Sequence, residues 1–192
     1  MAPLERSQMT FAWINIAVCV LAIALAALAG GCEETAGKAA AGTTPVKIKG
    51  KTFFLEVAAD AQVRNKGLGD RKSIDDDGGM IFVFMKPDVL SFVMRDCPIP
   101  IDVIFTDGSG KILSMYAMVP EAPRSPEEGK PTDDPRVPGS GAMKYELRLK
   151  QYNSKYPAAF VVELQGGMIE KLGLKESDKI DFDAAGLKLK AR

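Results

Sequence analysis

Six consecutive apolar residues, MIFVFM at positions 80–85, constrain the fold of this chain more than any other stretch. In an extended strand Met80, Phe82 and Phe84 line one face, and Ile81, Val83 and Met85 line the other. A strand apolar on both faces has to be covered on both, so the run predicts a strand inside a sheet that carries a layer on each side. Other runs supply the rest of such a sheet. VKIKG at 46–50 and TFFLEVA at 52–58 read as strands, the second turning Phe53, Leu55 and Val57 inward and Glu56 outward. IDVIFT at 101–106 and KILSMYAMV at 111–119 are joined through Asp107-Gly108-Ser109-Gly110, a hairpin signal, and AAFVVEL at 158–164 is a further strand.

Helices in this reading are short. Asp60 caps AQVRNKGL, which ends at Gly67. MKYELRLKQY fits both periods and is assigned to a short helix supported by Glu146 and Lys150 as an i, i+4 pair. MIEKLGL is a small helix ended by Gly173, and KIDFD and GLKLK are expected to close the chain as short strands. RKSIDDDGG reads as a solvated loop whose acidic run lacks the alternating ligand spacing of a calcium site. Residues 120–142, rich in Pro, Gly and charge, form an expected mobile excursion.

Composition removes several functions. With 25 basic and 25 acidic residues the chain shows no basic stripe, which argues against nucleic acid as a partner. It has no histidine, so Ser–His and Cys–His nucleophiles, HExxH metal sites and facial iron triads are excluded. No cofactor and no metal is expected, and no residue is assigned a catalytic role.

The N-terminus reads as an address. Residues 11–28 are apolar but for Asn15 and follow a single basic side chain, Arg6. The run ends in Leu28-Ala29-Gly30-Gly31-Cys32, which resembles the lipobox of bacterial lipoproteins, with Cys32 the acylated residue. The alternative is an uncleaved membrane anchor, because 18 apolar residues sit at the lower limit for a span. Either reading places residues 1–32 as signal or anchor, 33–45 as a flexible tether, and 46–192 as one domain outside the cytoplasm, held at a bacterial membrane by lipid or by a helix. Of the three cysteines, Cys19 and Cys32 belong to that segment, which leaves Cys97 alone in the folded part.

The densest chemistry lies in SFVMRDCPIPIDVIF, residues 91–105. Pro98 and Pro100 stiffen the connection between two apolar runs. Alternation puts Leu90, Phe92 and Met94 on one face and Ile101, Val103 and Phe105 inward, so Arg95 and Asp102 are expected to meet across the elbow in a charge-assisted bond. Glu163, an acid inside an apolar strand, joins them as a candidate. The three form either a polar pocket for a small ligand, with Met94 and Met80 as lining residues, or an ion-pair network that fixes a corner of the fold. Cys97 reads as a packed apolar filler, since no histidine is present to shuttle its proton. Met80, Met85, Met94, Met115 and Met118 follow strand period and read as core rather than as thioether ligands for copper.

Five blocks occur in one order: GLGDR at 67–71, GMIFVF at 79–84, FVMRDCPIPIDVIFTD at 92–107, FVVELQGG at 160–167 and LGLKESDKI at 172–180. Together they resemble the DUF192 family, also called UPF0127, over about residues 52–183. Departures from its pattern stand at Gly69, Val93 and Ser177. The resemblance implies an α+β, mostly β fold: a compact barrel-like antiparallel or mixed sheet with two or three short helices. It implies no reaction. Three functions remain open: a membrane-tethered module binding a small molecule, sugar or peptide; a hydrolase using Asp102 and Glu163 as a carboxylate pair, which requires both in one cleft; and a purely structural envelope protein.

Overall fold

The structure is a computed structural model that describes residues 41–191. The apolar segment 11–28, Cys19 and Cys32 therefore lie outside the described residues. Among the described residues no helix is long and apolar enough to cross a membrane.

The first strands are β1 (Thr43–Ile48) and β2 (Lys51–Ala58), followed by α1 (Ala61–Lys66) and β3 (Met80–Asp88). The central block supplies β4 (Ser91–Phe92), β5 (Ile101–Thr106) and β6 (Ile112–Met118). A 3-10 turn at Pro126–Glu128 then leads to α2 (Gly141–Arg148), β7 (Tyr152–Asn153) and β8 (Ala158–Gln165). The chain ends in α3 (Met168–Lys171), β9 (Ile180–Asp181) and α4 (Ala184–Lys190).

Local chemistry explains most of these boundaries. Lys49 and Gly50 both have positive φ, 48° and 84°, which is the twist a two-residue hairpin needs, and Ile48 pairs with Lys51 across it. The Val63 amide donates to Asp60 Oδ1 at 2.9 Å and starts α1. In the β5–β6 hairpin, Asp107 Oδ1 accepts from the Ser109 and Lys111 amides at 2.7 and 3.1 Å.

The large sheet has the order β6-β5-β8-β3-β2-β1-β9. Only β2 and β3 run parallel, with α1 in the crossover between them. The sheet curls into a half-barrel. Its ends meet at one side: Lys111 bridges Lys179, the Ile112 amide donates to Asp178 O at 2.8 Å, and the Ile180 amide donates to Gly110 O at 2.9 Å. β4 and β7 form a separate two-stranded sheet.

Each face of the large sheet has its own core. Val46, Phe53, Leu55, Ile81, Val83 and Ile104 belong to one, sealed by Met168 of α3 and Leu187 of α4. Met80, Phe82, Val103, Phe105 and Val161 belong to the other, which is covered by Leu68, Met94, Cys97 and Tyr152. The doubly apolar strand is thus covered on both sides along residues 80–83, as its sequence requires.

Two details differ from expectation. Met85 is 60% exposed, because β3 leaves the core after Phe84. GLKLK is part of helix α4 rather than a strand: Asp183 Oδ1 caps it by accepting from the Gly186 amide at 2.9 Å, and only Leu187 of its two leucines is buried. With that helix, four short α-helices are described instead of two or three. The Pro- and Gly-rich excursion is tied at several points. The guanidinium groups of Arg124 and Arg148 lie over the ring of Tyr145 of α2, at 3.7 and 4.7 Å from its centre. Arg124 also binds Asp96 at 3.0 Å, and Arg148 binds Glu128.

Candidate functional site

The register between β5 and β8 decides where the two acids go. Asp102 stands opposite Leu164, and Val103 stands opposite Glu163. Directly paired residues share a face and successive residues alternate, so Asp102 and Glu163 point to opposite sides of the sheet. They do not form a carboxylate pair in one cleft, and a two-carboxylate hydrolysis has no geometry here.

Arg95 does not meet Asp102 either. Asp96 takes a positive φ of 46°, and its amide donates to Tyr145 Oη at 2.8 Å. This local geometry turns Arg95 toward α2, where its Nε and Nη2 donate to the two carboxylate oxygens of Glu146 at 2.5 and 2.7 Å. Its Nη1 donates to Asn65 O at 3.1 Å. The bond to Glu146 raises the Arg95 pKa above its ordinary value, against the effect of burial. The anticipated network of Arg95, Asp102 and Glu163 is therefore three separate arrangements.

Asp102 is fully buried, and its Oδ2 accepts from the Ile169 amide at 2.6 Å at the start of α3. Burial raises its pKa, opposed by the amides of Ile169, Gly167 and Met168. It is a structural cap from inside the core.

Glu163 is different. Between the second core and the layer formed by residues 64–69 and 90–97 lies a cavity of about 220 Å³. Phe82, Phe84, Phe92, Leu68, Met94 and Cys97 give it apolar walls, and Glu163 lines it from β8. The rings of Phe82 and Phe92 meet edge to face at 4.9 Å. Met80 lies beside Glu163 in register, on the same face. Glu163 is 5% exposed, and its Oε2 has no hydrogen-bond partner among the described residues. Burial alone pushes its pKa up to about 8, so the carboxyl is mostly protonated at neutral pH.

The cations at the mouth are already engaged. Lys66 is paired with Asp70 and Arg95 with Glu146. Arg64 donates to Ala59 O at 2.8 Å and Val83 O at 3.2 Å and lies over the Phe84 ring. The Cys97 thiol sits 3.5 Å from Ile99 O, and burial raises its pKa, with the Glu163 charge adding to the rise. A thiol so placed is a poor nucleophile. Among the described residues no three His, Cys, Asp or Glu side chains come together as a metal site.

Of the sequence candidates, Arg95, Glu163 and Met94 therefore line one cavity, Met80 packs beside it, and Asp102 is excluded by strand parity. The aromatic walls Phe82 and Phe92 were legible only as core residues. Glu146 carried no signal as a partner of Arg95, because 51 residues separate them.

The fold has known counterparts. A crystal structure from Sinorhizobium meliloti, of a protein provisionally named a transcription regulator, superposes with a TM-score of 0.58 at 22% identity, covering 77% of this chain and 99% of that one. A protein of unknown function from Novosphingobium aromaticivorans superposes with a TM-score of 0.55 at 25% identity, covering 73% and 85%. No curated protein matches significantly. The family model for DUF192, described as an uncharacterized ACR, matches residues 44–182, which include all the strands apart from the first residue of β1, and the whole cavity wall. On that match the chain belongs to the DUF192 family.

Proposed function

We propose that the domain is a small-molecule binding module, with the Glu163 cavity as its site. One observation carries this reading: a carboxyl that is almost wholly buried, and whose Oε2 has no partner among the described residues, lines a cavity that also presents the rings of Phe82, Phe84 and Phe92. A buried polar group without a partner costs about 1–3 kcal/mol, a cost that a bound partner removes. Apolar walls around a few directed polar groups are the usual form of a ligand site. A volume of 220 Å³ suits a compact molecule rather than a peptide, since a 150 Å³ cavity suffices for benzene.

The N-terminal lipobox-like sequence supports placing this module in a bacterial cell envelope, tethered through acylated Cys32 or through residues 11–28 as an anchor. Labelled palmitate incorporated by the wild type and lost in Cys32→Ala supports the lipid anchor; equal labelling of both removes it. For the site, thermal-shift screening of the full chain against compact sugars, amines, acids and alcohols tests the reading. A ligand at 100 times its Kd adds about 2.7 kcal/mol of stability, which is a visible rise in Tm. A rise abolished by Leu68→Trp, which fills the cavity, supports the reading. No rise with any class contradicts it.

A further inference from the structure

We infer that the ligand is a small apolar amine, whose ammonium group pairs with the Glu163 carboxylate while its hydrocarbon body lies among Phe82, Phe84 and Phe92. The inference rests on the binding-module reading and adds the chemical class of the ligand.

The argument is one of charge complementarity. Each charged group facing the cavity from its rim has a partner of its own: Lys66 has Asp70, Arg95 has Glu146, and Arg64 has two backbone carbonyls and an aromatic face. From the elbow, the Cys97 thiol interacts with Glu163, and Arg95 lines the same cavity while bound to Glu146. On the sheet, its register neighbours Met80 and Val103 are uncharged. The group left without a partner is the acid. A ligand anion would find the rim cations occupied and would leave Glu163 unanswered. A ligand ammonium supplies the donors that the carboxyl lacks, and the negative faces of surrounding rings favour a cation near them. Such a charge-assisted bond is stronger than one between neutral groups.

The protons balance simply. A protonated carboxyl and an ammonium ion form a carboxylate–ammonium pair, and the carboxyl proton leaves to solvent. Because Glu163 keeps its proton up to about pH 8, amine binding at pH 7 releases close to one proton per molecule bound. A neutral alcohol releases none.

The test uses the full chain and three probes of one shape: 2-phenylethylamine, 2-phenylethanol and 3-phenylpropanoate. Ligand-observed NMR ranks binding, and calorimetry in buffers of different ionisation enthalpy counts protons. The expected result is amine binding at least 10-fold tighter than alcohol, no detectable acid binding, and nearly one proton released. In Glu163→Gln the amine falls to the level of the alcohol and proton release vanishes. The proton count in the wild type stands even where that variant fails to fold. Alcohol or acid binding as tight as the amine overturns the inference and leaves the cavity a binding site. Amine binding without proton release does the same. Silence from all three probes overturns the inference together with the binding-module reading.

Discussion

At the scale of single residues, the unusual element is a protonated acid in a core. The ordinary glutamate pKa is 4.5, and Glu163 in the folded chain stands at about 8. Between those values the folded state holds a proton that the unfolded state has released. Stability therefore falls as pH rises through that window and levels off above it. The difference amounts to about 4 kcal/mol at pH 8, a large share of a domain's usual total. Glutamine does not titrate, so Glu163→Gln is expected to remove the fall. Urea denaturation at pH 5 and pH 8 checks this: the wild type should lose stability between them relative to the variant, by an amount of that order. Equal pH profiles would contradict it. Arg95 makes the opposite prediction. Its pair with Glu146 is partly exposed, with 38% and 23% of the two side chains accessible, so Arg95→Ala should cost no more than about 1 kcal/mol in the same measurement. A loss of 3 kcal/mol or more would show that this ion pair holds the elbow.

At the scale of elements, short helices depend on what caps them. α3 has four residues, too few to stand on intrinsic propensity, and its first amides are answered by Asp102 from the strand beneath. Asp102→Ala strips that acceptor from a buried site and is expected to cost about 2–3 kcal/mol, read as a lowered denaturation midpoint. A cost below 0.5 kcal/mol would show that α3 does not need the cap. Asp102 also marks the limit of what the sequence makes legible. Both Asp102 and Glu163 are lone acids in apolar strands, and the alternation within each strand is plain. What decides whether they share a face is the register of two strands about 60 residues apart, and a slip of one residue reverses it. No local pattern encodes that register. The same holds for α4. GLKLK alternates like a strand, but the Asp183 cap and the single buried leucine make it a helix.

At the scale of the molecule, strands and turns were readable from local alternation, whereas their order was not. β8 inserts between β3 and β5, and the sheet nearly closes on itself through contacts between residues 110–112 and 177–180. The five family-like blocks mapped that β-rich core correctly because they coincide with its strands and turns. Closure depends on close backbone approach at Gly110, where φ is 85° and a Cβ would lie 2.1 Å from Ile180 O. Gly110→Ala should therefore open this side of the half-barrel, costing at least about 2 kcal/mol and raising hydrogen exchange at the Ile112 and Ile180 amides. Unchanged protection at both amides would show that the closure tolerates separation. The cavity sits on the opposite face from this closed core, under a layer of short segments, so ligand access need not disturb the barrel interior.

The central claim is that one carboxyl is kept in the cavity without a partner. Carbon-13 NMR of glutamate carboxyl groups, followed from pH 3 to pH 10, tests it most directly. The account predicts one resonance titrating near pH 8 that is absent from Glu163→Gln. If every glutamate titrates in the ordinary range near pH 4.5, Glu163 is solvated or paired in solution and the site is not the one described.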